Sequence, residues 1–137
     1  MQDVRWLQRL DNFEQAYLRL QESLAVEAPN ELERNGIVLR FEFTIELAWK
    51  VMKDFLESQG FQFKPSPKNT FRQAQQGQFI TNAQVLIDAL NVRNELSHDY
   101  SGAKFEVAEE ELRQRFFPAL TTLYHFFRHE RDQTHSS

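Results

Sequence analysis

The sequence predicts an all-α protein, an antiparallel four-helix-type bundle with one extra short helix. Three observations lead there. Apolar residues recur at alternating steps of four and three near the start of the chain. Pro29, Gly60 and Gly77 cut the rest into segments of helical length. The 137 residues hold thirteen Phe but only four Gly and four Pro. Aromatic abundance supplies a core, and scarce Gly and Pro favour long helices over many short strands. The length fits one domain spanning 1–137, with a tail frayed from about 130.

Residues 3 to 27 carry the clearest helical signal. Trp6, Leu10, Phe13, Tyr17, Leu20 and Leu24 form a heptad seam, read as a core stripe. Pro29 ends this helix, and Asn30 with Glu33 has the form of an N-cap and capping box for the next. From Ile37 to Val51 every second residue is apolar, which taken literally describes a strand of fifteen residues. Strands usually stop at about 10 residues. A helical template also fits, through Phe41, Ile45, Ala48, Met52 and Phe55, with a second stripe at Leu39, Phe43, Leu47 and Val51. No Gly or Pro interrupts 37 to 59, and Glu46 before Lys50 is a favourable i,i+4 pair, so the reading is helix. Two apolar faces make it either the central helix or one covered by another subunit.

Gly60 ends that helix. Ser66 and Pro67 then read as N-cap and first residue of a short helix to about Gln76, which Gly77 terminates. A further helix is expected from about Asn82 to Ser97. The last is expected from Glu106 to about Arg128, bent near Phe117 because Pro118 lies inside it. The acidic run 105–112, "FEVAEEEL", suits the first turn of that helix.

Net charge is −4 and Cys is absent, so disulfide and thiolate chemistry are excluded and non-specific nucleic-acid binding is mildly disfavoured. The N-terminal "MQDVRWLQRL" lacks the apolar centre of a signal peptide, and no apolar run reaches membrane-spanning length. A soluble, cytoplasmic protein with no membrane association is expected. Between Glu57 and Asp88 there is no acid, while Lys64, Lys68 and Arg72 fall inside that window. This stretch reads equally well as a solvated short helix or as a surface tracking an RNA backbone.

The chemistry gathers in "RNELSHDY", 93 to 100. Arg93 and His98 are five apart, roughly 140° around a helix, so one chain's pair does not easily converge on one atom. Asn94 and His98 share a face, which lets Asn94 orient the imidazole or bond a ligand. Two copies facing across a two-fold axis would bring two guanidinium and two imidazole groups to one cleft of phosphate size. Arg grips phosphate bidentately, and His exchanges a proton near neutrality. These are the ingredients of metal-free RNA cleavage, in which a base takes the 2′-OH proton and arginine stabilises the charged phosphorane. From spacing alone a structural role, with His98 serving the helix C-terminus and Arg93 a surface ion pair, is the more frequent arrangement.

The pattern R-x-x-x-x-H-x-Y, filled by Arg93, His98 and Tyr100, resembles the signature of HEPN domains (higher eukaryotes and prokaryotes nucleotide-binding), and the chain is similar to their HepT group. "RFEFTIELAWKVMKDFLESQGF", 40–61, and "SPKNTFRQAQQGQFI", 66–80, resemble nucleotidyltransferase substrate-binding proteins. The resemblance implies an all-α dimer in which Arg93 and His98 are ribonuclease residues lining a shared cleft and Asn94 is the polar residue following the arginine. It also implies a minimal nucleotidyltransferase partner that modifies Tyr100 with AMP and silences the nuclease. An added nucleotide would crowd the cleft and place negative charge where the substrate phosphate sits.

Three functions follow. The first is a metal-independent endoribonuclease toxin acting on RNA as a homodimer. The second is a non-catalytic subunit that holds substrate or nucleotide for a nucleotidyltransferase. The third is a helical scaffold whose polar cluster only caps a helix. No metal or other cofactor is expected. His125 and His129, four apart, would make at most a two-ligand site, and with His135 they suit the positive charge favoured near a helix C-terminus.

Overall fold

The computed structural model describes residues 4–96 and 102–136, and no strand occurs among them. The helices are α1 (Arg5–Leu24), α2 (Glu31–Ser58), α3 (Pro67–Gln76), α4 (Ala83–Leu96), α5 (Gly102–Glu111) and α6 (Phe117–Ser136). A π-turn, Leu112–Phe116, joins the last two.

Local chemistry sets the helix ends. Asn30 Oδ1 accepts from the Glu33 amide at 2.8 Å while Glu33 Oε1 accepts from the Asn30 amide at 2.9 Å, so the capping box forms as expected. Ser66 caps α3 and Pro67 is its first residue. Gly77 ends α3 with an ordinary φ of −77°. Its need for glycine is steric, because a Cβ would lie 2.8 Å from the Phe61 ring and 3.0 Å from that of Phe79.

The ambiguous segment 37–51 is helical throughout. In α2, the residues Phe41, Ile45, Ala48, Met52 and Phe55 are buried. The second stripe is only partly covered: Val51 is buried, Leu47 half-buried, and Leu39 and Phe43 are 51 % and 58 % exposed. All thirteen Phe belong to the described residues, and Phe43 is the one that remains exposed.

Pairs between helices fix their directions. Arg40 Nη1 donates to the Arg19 carbonyl, Thr44 Oγ1 to that of Ala16, and Arg9 pairs with the buried Asp54, so α1 and α2 run antiparallel. Tyr17 shares a hydrogen bond with Thr121, Tyr124 donates to Glu14, and Arg131 approaches Asp11 and Glu14, which makes α6 antiparallel to α1. Phe41 stacks on Phe116 and Phe55 meets Phe127, so α2 and α6 run the same way. The heptad seam of α1 is buried from Trp6 to Leu20, with Leu24 half-buried. Phe55 sits at the centre of an aromatic cluster with Trp6, Phe79, Phe126 and Phe127. Each such side chain contributes roughly 1.5–3 kcal/mol by leaving water.

The turn before Pro118 is a widened one. Proline has no N–H to offer the carbonyl four residues back. The Phe117 amide bonds to the Leu112 carbonyl, an i→i−5 step, and regular helix resumes at once. One expectation is corrected here. The helical run begins at Gly102, not Glu106, so the acidic residues lie beyond the first turn. They bond forward instead, Glu109 to Arg113 and Glu111 to Arg115. Helix α6 extends to Ser136, and Arg131 near its end approaches Asp11 and Glu14 of α1. Among the described residues no helix is long and apolar enough to cross a membrane.

Candidate functional site

Arg93 lies in the last turn of α4, with its side chain 19 % exposed. It reaches across to the middle of α2, where its Nη1 donates to Glu46 Oε2 at 2.5 Å. The other edge of the guanidinium, Nε and Nη2, points at Asn94 Oδ1 at 3.4 and 3.2 Å. Asn94 itself is exposed. Glu46 is engaged through both oxygens, since Oε1 lies 3.3 Å from Lys50 Nζ, the i,i+4 pair read from the sequence.

Burial works against ionisation of Glu46. The neighbouring Trp49 indole, the Lys50 ammonium and the Arg93 charge outweigh it and hold the carboxyl below its ordinary value of 4.5. The indole Nε1 is buried and makes no hydrogen bond of normal length and angle, so its influence on Glu46 is that of a nearby dipole. The result is an ionised Glu46 that holds one corner of the guanidinium, with Asn94 Oδ1 beside the parallel Nε and Nη2 groups. A fork of that kind matches two oxygens of a phosphate or carboxylate.

His98 and Tyr100 lie outside the described residues. Their segment follows α4 directly, immediately beyond Arg93 and Asn94. Lys64, in the chain before α3, and Lys68 and Arg72, on α3, are exposed. Asn69 Nδ2 donates to the Lys64 carbonyl, which secures the approach to α3. No contact among the described residues ties these three cations to Arg93. His125 and His129 are exposed on α6, and His129 Nε2 lies 3.0 Å from Gln133. Glu46 is the site residue that sequence reasoning misses. Its one signal there is an acid set among apolar residues on a helix with two apolar faces.

The family model "Nucleotidyltransferase substrate binding protein like" matches residues 8–129. The chain belongs to that family. Its fold is also that of a HEPN toxin. The tri-AMPylated Shewanella oneidensis HEPN toxin, solved in complex with MNT antitoxin, superposes with a TM-score of 0.75 at 14% identity, over 93% of this chain and 98% of that one. A protein from Thermus thermophilus superposes with a TM-score of 0.71 at 24% identity, over 83% of this chain and 93% of its own. No curated protein matches the sequence significantly. For this substrate-binding-like chain, the match from 8 to 129 takes in α2 and α4, the two helices that build the Arg93–Glu46 pair.

Proposed function

We propose that this HEPN-type protein is a metal-independent endoribonuclease, the toxin of a toxin–antitoxin pair. Two copies join so that Arg93 and His98 of each line one cleft. His98 takes the proton from an RNA 2′-OH, the 2′-oxygen attacks the adjacent phosphorus, and Arg93 stabilises the charge on the phosphorane; the bond to the 5′-oxygen then breaks, that oxygen takes the proton back from a cleft histidine, and a 2′,3′-cyclic phosphate remains. A minimal nucleotidyltransferase transfers AMP to Tyr100, and the added phosphate and base block the cleft.

The observation that carries this reading is the state of Arg93. It is anchored to the middle of α2 by an ionised carboxylate, in the last turn of α4 where the 93–100 motif begins. The self-pairing has support in α2, whose outward Leu39 and Phe43 are exposed about two turns and one turn before Glu46. Covering Phe43 with a second copy would bring that copy close to Arg93.

The alternative is a non-catalytic subunit that holds a nucleotide or substrate for its nucleotidyltransferase, a reading that membership of a substrate-binding-protein-like family supports. One experiment separates the two. Purified wild type is incubated with RNA beside Arg93→Ala and His98→Ala. Cleavage by wild type, lost in both variants, upholds the nuclease. Nucleotide binding without cleavage upholds the subunit. Mass analysis of the Tyr100 peptide after incubation with the partner and ATP tests the modification, and an unmodified peptide removes it.

A further inference from the structure

We propose that Lys64, Lys68 and Arg72 form a separate anion-binding surface, on α3 and the chain that leads into it, which holds the sugar–phosphate backbone of single-stranded RNA. The proposal rests on the reading of RNA as the ligand, and it adds a surface outside the 93–100 motif.

These three cations stand apart from the other charges of an acidic chain. Arg9, Lys50, Lys53, Arg113, Arg115 and Arg131 each meet a carboxylate. Lys64, Lys68 and Arg72 are exposed, and none of them forms an ion pair or a side-chain hydrogen bond among the described residues. The nearest acids along the chain, Glu57 and Asp88, are paired with Lys53 and Arg115. The position of Lys68 is unfavourable for stability as well. It is the second residue of α3, where the helix dipole favours an acid and where the first turn of α2 carries Glu31 and Glu33.

The segment presents the cations in a fixed row. Ser66 Oγ accepts from the Asn69 amide at 3.3 Å and Asn69 Nδ2 donates to the Lys64 carbonyl at 2.8 Å, so the lead-in folds onto the first turn. Thr70, Phe71 and Ala74 bury the other side of α3. Lys68 and Arg72 are left outward, one above the other and about 6 Å apart along the axis. That step is close to the spacing of successive phosphates on an extended strand. Phe61 and Phe63, just before Lys64, are only half-buried. Single strands bind through cations along the backbone and aromatic surface beside the bases, which favours RNA over an acidic protein as the occupant. The Ala83 amide donates to Gln75 Oε1 at 2.7 Å, so α4 departs from α3, and Arg93 lies about 15 Å further along it. A few nucleotides cover that distance.

The test is fluorescence anisotropy of a labelled single-stranded RNA oligonucleotide over a range of salt, with the whole chain carrying His98→Ala so that the RNA stays intact. Lys64→Gln/Lys68→Gln/Arg72→Gln is compared with the charge-keeping Lys64→Arg/Lys68→Arg/Arg72→Lys and with Arg128→Gln, an exposed cation on α6. The glutamine triple is expected to weaken binding about tenfold or more at low salt and to flatten the slope of log K against log salt by about 2. The charge-keeping triple and Arg128→Gln stay near the parent protein, and thermal unfolding changes little in any of them. Binding and slope unchanged in the glutamine triple overturn the proposal, as does an equal loss from Arg128→Gln or a parent protein that binds no RNA. Loss of binding to the nucleotidyltransferase with RNA binding intact also overturns it, and assigns the surface to a protein partner. Cleavage is assayed separately with His98 restored. Cleavage together with an unaffected triple variant removes this surface and leaves the nuclease standing. RNA binding that depends on the three cations, without cleavage, removes the nuclease and leaves this surface.

Discussion

The two faces of α2 are built from the same kinds of residue and do different work. Inward, Phe41, Ile45, Ala48, Met52 and Phe55 are at most 2 % exposed, with Phe41 against the π-turn and Phe55 against α1, α6 and the chain before α4. Outward, Leu39 and Phe43 are more than half exposed, and they lead directly to Glu46 and Lys50. The inner face spends its apolar surface on stability. The outer face leaves apolar surface in water beside an ionised pair, an arrangement that stability alone does not account for. One helix thus serves as the central element of the core and as a wall of the candidate site.

Truncation on each face measures the difference. Phe55→Ala opens a cavity where four aromatic rings meet, and it is expected to cost about 3–5 kcal/mol in denaturant unfolding. A cost near zero would mean that the cluster does not close around Phe55. Glu46 gives a smaller, pH-dependent effect. Its pKa is lowered in the folded protein, so the carboxylate contributes stability above about 4.5, and that contribution is lost as pH falls through the depressed value. Unfolding midpoints of wild type and Glu46→Gln should therefore converge on acidification below 4.5, and a constant gap would break the assignment. Phe43→Ser is expected to have the smallest effect on the stability of a single chain, within about 0.5 kcal/mol. The same change should shift self-association toward monomer in analytical ultracentrifugation. A strongly destabilised Phe43→Ser would show that the outer face belongs to the core after all.

Much of this architecture is readable without coordinates because local chemistry specifies it. The Asn30–Glu33 capping box and the Ser66–Pro67 start each depend on residues within a few positions of one another. The heptad seam of α1 likewise declares its own buried face. Difficulty arises where the deciding partner is remote. The period of two in 37–51 fits helix and strand alike, and only length and continuity favour helix. The acidic run misleads for a related reason, since its meaning depends on where the helix starts and that start lies four residues upstream of Glu106. At the candidate site, Arg93 and Asn94 stand out by residue type and spacing. Glu46 lies 47 positions away, and only the packing of α2 on α4 makes it a neighbour.

The π-turn at 112–116 has a consequence for how the C-terminal half tolerates change. A π-turn carries one residue more than the α-helical path it replaces, and each residue turns an α-helix by about 100°. Phe105, Leu112 and Phe116 before or within it, and Leu120, Leu123 and Phe127 after it, all end on the buried side. The surplus residue acts as a phase correction between two lengths of helix. Losing a single position there would rotate Tyr124 and Phe127 away from Phe13 and Phe55, so chain length in that turn is under tighter constraint than residue identity.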